Sequence, residues 1–188
     1  VADSNVILLT GDRQIGKTTA LWEAVGLLRG VGMRVTGLLT QRTGPHDLAV
    51  MELHTGDRYP LTDPWYEDHG TPTPNFVMNE AAMARSSGAL AACFPTQVFV
   101  LDEIGPLELR HRRGWVGALD LLRREAYELG ILVIRPELLG VAIAELPGTT
   151  FTVIRVDAGN RQGLGTELFG TAMALFSRTA MLPQGIRL

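Results

Sequence analysis

The sequence predicts an α/β fold: a mostly parallel sheet covered on both faces by helices, with one added antiparallel β-hairpin. Three observations carry this expectation. Short continuous apolar runs, such as Val6–Leu9, Val98–Leu101 and Ile131–Ile134, have the character of strands buried on both faces. Segments with helical apolar spacing alternate with them, the order that builds parallel strand–helix–strand units. A length of 188 residues, 46% hydrophobic and 20% charged, suits one globular core, so a single domain over residues 1–188 is expected.

The first strand, Val6–Leu9, runs into a loop from Gly11 to Gly16. A helix opens near Lys17, carries Leu21, Ala24, Val25 and Leu28 on one face, and stops at Gly30 and Gly32. A second strand covers about Arg34–Thr40. Leu48–Leu53 and Tyr59–Leu61 flank the turn signal His54-Thr55-Gly56-Asp57, which makes the hairpin. Asp63–Asn75 holds three prolines, a glycine and the pair Trp65-Tyr66 without periodicity, and reads as a long surface loop. Met78–Ala92 reads as a helix, and Val98–Leu101 as the next buried strand. Trp115–Leu129 has the spacing of an amphipathic helix closed by Gly130. Ile131–Ile134 is then a strand stopped at Pro136, followed by a short helix over Glu137–Ala144. Phe151–Val156 is the last strand, and a terminal helix spans about Gly163–Arg178.

Composition excludes several classes of function. A net charge of −3 and a pI near 5.8 argue against a general nucleic-acid-coating protein. With one cysteine, Cys93, no intrachain disulfide or cysteine-cluster metal site can form. The histidines His46, His54, His69 and His111 lack metal-binding spacing, so no zinc site is expected, and Cys93 reads as a small core residue. No apolar run approaches the ~18 residues that cross a bilayer, and the opening Val-Ala-Asp lacks signal-peptide character, so a cytoplasmic location is expected. One count points forward. Of 17 basic residues only one, Lys17, is lysine. A chain that otherwise uses arginine keeps a lysine where a compact, mobile cation is needed and a planar guanidinium is not equivalent.

That lysine sits in Gly11-Asp12-Arg13-Gln14-Ile15-Gly16-Lys17-Thr18, which fits G-x-x-x-x-G-K-[ST], with Thr19 next to it. The context agrees, since a buried strand precedes the segment and a helix follows. Glycines let successive backbone N–H groups turn inward, and the helix N-terminus adds partial positive charge. Lys17 would reach the β- and γ-phosphates, and Thr18 would offer its hydroxyl to Mg²⁺. The segment is a phosphate loop, and the expected fold is the three-layer one of P-loop nucleoside triphosphatases. The expected ligand is ATP, GTP or another nucleoside triphosphate.

A second motif joins four apolar residues, Val98–Leu101, to Asp102 and Glu103. An aspartate ending a neighbouring buried strand orients Mg²⁺ in such proteins, and a following glutamate can polarise the attacking water. The same glutamate could instead receive the proton of an acceptor hydroxyl.

With these residues in place the chain resembles the THEP-type nucleoside triphosphatases. The likeness rests on the loop Gly11–Thr19, on Asp102-Glu103-Ile104-Gly105-Pro106-Leu107-Glu108-Leu109, and on Asp157-Ala158-Gly159-Asn160-Arg161. Leu39-Thr40-Gln41-Arg42 and Phe76-Val77-Met78-Asn79 are weaker matches. The resemblance implies Mg²⁺-dependent hydrolysis of ATP, GTP and related nucleotides. It implies Lys17 at the γ-phosphate, Thr18 and Asp102 as magnesium ligands, and Glu103 as the water-activating base. Two segments depart from the family pattern: Arg13-Gln14-Ile15 replaces a smaller loop, and Ile134-Arg135-Pro136 lacks a Thr-His-like strand end.

Other candidates have two readings each. Arg135, at a strand's carboxyl end, is either a phosphate contact or structural. Asn160 and Arg161 either touch the base or ribose or cap a helix. Arg110, Arg112 and Arg113, around His111, read as a solvated basic turn rather than an arginine finger. Trp65 and Tyr66 read as anchors of the long loop rather than a base-stacking pair. Two rival functions remain at this stage: a kinase transferring the γ-phosphate to a small molecule or nucleotide, and a non-catalytic nucleotide switch acting on a protein partner. No membrane role is expected.

Overall fold

The computed structural model describes residues 5–67, 70 and 73–181, with side chains through 177. His69 lies outside the described residues. The chain opens with β1 (Asn5–Gly11) and α1 (Lys17–Gly30). Next come β2 (Val35–Arg42) and an antiparallel excursion of β3 (Leu48–Glu52) and β4 (Arg58–Pro60). A minimal ladder, β5 (Thr62–Asp63) with β6 (Val77–Met78), closes the long segment between them. Then come α2 (Glu80–Ala91), β7 (Thr96–Ile104), α3 (Pro106–Leu109), α4 (Gly117–Arg124) and β8 (Tyr127–Ile134). A 3₁₀ turn at Pro136–Leu138, α5 (Leu139–Glu145), β9 (Thr150–Val156) and α6 (Leu164–Met181) complete it.

Among the described residues the main sheet has seven strands in the order β4-β3-β2-β7-β8-β1-β9. The five from β2 to β9 run parallel, and β3 and β4 add antiparallel strands at one edge. Alternation along the central strands builds a core on each face. Val6, Leu8, Phe99, Leu101 and Leu132 point into one, covered by Leu90, Trp115, Leu119 and Ala142. Ile7, Leu9, Val98, Val100 and Ile131 point into the other, covered by α1 and α6 through Leu21, Ala24, Leu28, Leu164 and Leu168. Fully burying such a side chain stabilises by about 1.5–3 kcal/mol, which is why the strands read as unbroken apolar runs. The strands pack closely. Gly37 on β2 has φ of +117°, and a Cβ there would lie 1.8 Å from the Val100 carbonyl oxygen, so no other residue fits.

Three expectations need correction. The helix expected over Trp115–Leu129 ends at Arg124, and β8 already begins at Tyr127. Glu125 is extended, Tyr127 pairs with Thr96, and Leu129 pairs with both Val98 and Asn5. Good helix formers over Glu125–Leu129 are overridden by ladders on two sides. Gly130 is therefore mid-strand, where a Cβ would meet the Val6 side chain at 3.1 Å. The helix expected from Met78 starts at Glu80: Asn79 caps it by accepting from the Ala82 amide at 2.7 Å, and Met78 belongs to β6. Finally, the acidic strand is not the neighbour of the phosphate-loop strand. β8 lies between β7 and β1, and that places Arg135, just past β8, between the loop and the acidic pair.

Candidate functional site

All the motif residues gather at the carboxyl ends of β1, β7, β8 and β9, the edge where open parallel sheets bind ligands. The loop leaves β1 at Gly11, with φ of +147°, where a Cβ would lie 2.5 Å from the Val156 carbonyl oxygen on β9. Gly16 is the N-cap of α1 and has no side chain to offer, so the first amides of the helix lack a side-chain cap. Such amides, with the helix dipole behind them, make an anion-binding end.

Lys17 folds back over this loop. Its Nζ donates to the carbonyl oxygens of Gly11 at 2.7 Å and Asp12 at 2.5 Å. Partial burial lowers its pKa from the ordinary lysine value, against the opposing pull of the Glu103 and Asp102 carboxylates. These carbonyl contacts are ones that an incoming phosphate can replace with stronger charge-assisted bonds.

Asp102 is fully buried. Its Oδ2 accepts from the Thr40 hydroxyl at 2.6 Å and the Thr40 amide at 3.2 Å. Thr18 Oγ1 donates toward Oδ2 at 3.1 Å and Oδ1 at 3.3 Å, bridging from α1 across β8. Burial pushes the Asp102 pKa up to about 6, although the Thr40 and Thr18 bonds favour the carboxylate. Thr40 was not singled out for this role in the sequence. The one signal for it was its place in the weaker family match Leu39-Thr40-Gln41-Arg42, near the carboxyl end of β2.

The next residue behaves differently. A bulge breaks the β7–β8 register between Leu101 and Ile104, and Glu103 sits in it with φ of +66°. For a non-glycine residue this conformation is strained by about 1–3 kcal/mol. It turns the Glu103 side chain out of the sheet, 45% exposed, where Oε1 accepts from Arg135 Nη2 at 2.7 Å. Arg135 keeps a buried Nε with no hydrogen-bond partner among the described residues, a donor left over at the strand end.

The corner after Glu103 is rigid. Glu108 is buried and accepts from the Gly105 amide at 2.9 Å and the Trp115 amide at 3.2 Å. Burial raises its pKa to about 6. Trp115 donates from Nε1 to Ser86 Oγ at 2.8 Å, tying the corner to α2. Glu108 stood inside the quoted motif, yet its clamp depends on Trp115, seven residues on.

The remaining candidates sort by geometry. Arg161 lies beside the phosphate loop: its Cβ is 4.0 Å from where a Cβ on Gly16 would be. Asn160 shapes the turn itself, accepting from the Asp157 amide at 2.9 Å and donating to the Arg155 carbonyl at 2.8 Å. Arg13 reaches a cavity beside Glu103 and Arg135, with a volume of about 160 Å³. Arg113 lines an adjoining cavity of about 340 Å³, which shares Thr73, Met78, Met83 and Leu107 with the first and which none of the phosphate-loop residues touches. Arg112 pairs with Glu145 at 2.7 Å, and Arg110 and His111 are exposed. Trp65 stacks on His46 with ring centroids 4.3 Å apart, which ties the long segment to the β2–β3 turn. Cys93 is buried, with its thiol pKa pushed up to about 11 by desolvation.

The pair Thr18–Asp102 also passes a test as a magnesium site. Mg²⁺ prefers hard oxygen donors and keeps several waters, with one or two protein ligands beside substrate phosphates. Here a hydroxyl and a carboxylate meet next to the loop. Oδ1 of Asp102 has Thr18 as its sole hydrogen-bond partner among the described residues, so it can accept from a metal-bound water.

A family model described as NTPase matches residues 6–169. The chain belongs to this family, the THEP-type nucleoside triphosphatases. Among solved structures it is similar to a human cancer-related nucleoside triphosphatase, with a TM-score of 0.69 and 21% identity over 91% of this chain and 98% of that one. It is also similar to THEP1 from the hyperthermophile Aquifex aeolicus, with a TM-score of 0.60 and 16% identity over 89% of this chain and 98% of that one. No curated protein sequence matches it significantly. At these identities the two structures speak for the fold, and this family member shares that fold with both. None of its helices, among the described residues, is long and apolar enough to cross a membrane.

Proposed function

We infer that this protein is a Mg²⁺-dependent nucleoside triphosphatase that releases the γ-phosphate of ATP, GTP or related nucleotides to water. The observation that carries this is the division of labour between adjacent carboxylates. Asp102 is buried and held by Thr40 and Thr18, while Glu103 is turned outward by the bulge beside the phosphate loop. Two carboxylates in such different surroundings suit two roles.

The loop amides and Lys17 bind the β- and γ-phosphates, Lys17 exchanging its carbonyl partners for phosphate oxygens. Thr18 and Asp102 would hold the metal through their hydroxyl and carboxylate oxygens. Bound Mg²⁺ would neutralise phosphate charge as it develops in the transition state. Glu103 orients a water in line with the γ-phosphate and takes its proton. Arg135 is the cation nearest Glu103, and on nucleotide binding its guanidinium has the phosphate as a second partner. Arg161 and Asn160 form the loop next to Gly16, where the nucleoside would lie.

The test is phosphate release from a panel of nucleoside triphosphates with and without Mg²⁺, run beside Glu103→Gln. Turnover should need Mg²⁺ and fall by about 10²–10⁴-fold in Glu103→Gln, with nucleotide still bound. Binding without turnover in the unmodified protein overturns the assignment.

A further inference from the structure

Hydrolysis leaves one part of the site without a use. The cavity beside Glu103 has its apolar wall from Leu61, Phe76, Met83, Leu107 and Trp115, and its polar mouth from Arg13, Glu103 and Arg135. Water is served by polar partners, not by such a wall. The wall is also costly to build: the β3–α2 excursion supplies Leu61, Phe76 and Met83, and the Glu108 clamp and the Ser86 bond fix Trp115. Its volume of about 160 Å³ has room for a single ring, and Met83 and Leu107 stand between it and the adjoining cavity of about 340 Å³. An engineered apolar cavity of about 150 Å³ in another protein takes up benzene.

We propose that this cavity is a second substrate site, which binds a one-ring alcohol and presents its hydroxyl to Glu103 as an acceptor for the γ-phosphate. The proposal rests on the nucleotide site described above. The ring lies against Phe76, Met83 and Leu107, and the hydroxyl arm points to the mouth. There Glu103 takes the hydroxyl proton as the oxygen attacks the γ-phosphorus. The new O–P bond forms as the bond from the γ-phosphorus to the β–γ bridging oxygen breaks, and the nucleoside diphosphate leaves with that electron pair. Arg13 and Arg135 face the transferred phosphoryl group. Water takes the same path when the cavity is empty, so the two activities share one base.

The experiment uses benzyl alcohol and 3-pyridinemethanol as probes with Mg²⁺ and ATP, and measures ADP, free phosphate and phosphorylated alcohol together. Expected is saturable ester formation, with ADP exceeding free phosphate by the amount of ester. Met83→Trp and Leu107→Trp fill the cavity from two partly exposed positions, and melting curves check that each folds. Both should cut ester formation at least about tenfold and leave phosphate release without alcohol within about twofold. Equal ADP and phosphate at every alcohol concentration, with hydrolysis intact, overturns the acceptor site and leaves the hydrolase standing. Ester formed equally well in both Trp variants overturns it too. Ester formed with no phosphate release in the absence of alcohol overturns the hydrolase reading alone.

Discussion

Two clusters of polar groups flank Glu103, and they are built on opposite principles. On one side Lys17 bonds to carbonyls of its own loop, and Thr18 bonds to Asp102 at 3.1 and 3.3 Å. These contacts join groups that a phosphate or a hydrated cation can separate. On the other side Glu108 accepts from the amides of Gly105 and Trp115 within a single tight corner. Nothing from solution can replace it there, because the donors are backbone and the carboxylate is buried. The difference separates contacts that wait for a ligand from contacts that hold the shape receiving it.

The strongest way to break this comparison is Lys17→Ala. If the Lys17 contacts only wait for phosphate, turnover should drop by about 10²–10³-fold, with stability changed by less than about 1 kcal/mol in thermal melts. A large loss of stability would make Lys17 a structural member of the loop. Glu108→Gln should do the reverse. An amide can accept through one oxygen only, so one buried N–H loses its partner and the fold loses about 1–3 kcal/mol in denaturant titrations. Melting unchanged in that variant would remove the distinction.

A pH series sharpens the comparison. Asp102 and Glu108 both have folded pKa values of about 6, above their ordinary 3.8 and 4.5. Between about pH 4 and 6 the folded chain therefore binds more protons at these two groups than the unfolded chain does. Their contribution to stability falls as pH rises through that window and is greatest below it. Metal binding at Asp102 needs the carboxylate, so Mg²⁺-dependent turnover should decline below about pH 6 while these groups make the fold more stable. Comparing melting temperature at pH 5 and pH 7 in the unmodified protein and in Asp102→Asn checks the sign: the substitution should remove part of the gain at low pH. The smallest effect is expected at Arg112→Ala. Its exposed pair with Glu145 belongs to neither cluster, and its loss should change stability by no more than about 0.5 kcal/mol.

Much of the phosphate side was legible in the sequence, since its chemistry is compressed into eight consecutive residues and one strand end. The α/β class was legible for a related reason: strands buried on both faces must be continuously apolar. The excursion was harder to read. Leu61, Phe76 and Met83 look like ordinary core residues, and their shared wall exists only after β5 and β6 pair. Likewise Glu125–Leu129 reads as helix because local propensity is all a window can see.

By itself the sequence determined the phosphate loop, the two-faced core and the adjacent acids, because each depends on residues close together in the chain. Tertiary structure alone decided the strand order that sets Arg135 between the loop and Glu103. It also decided the bulge that parts Glu103 from Asp102, and the meeting of Glu108 with the Trp115 amide. The physical reason is the same in all three. Strand pairing and burial act between segments far apart in the chain, and their energies exceed the local preferences that a sequence displays.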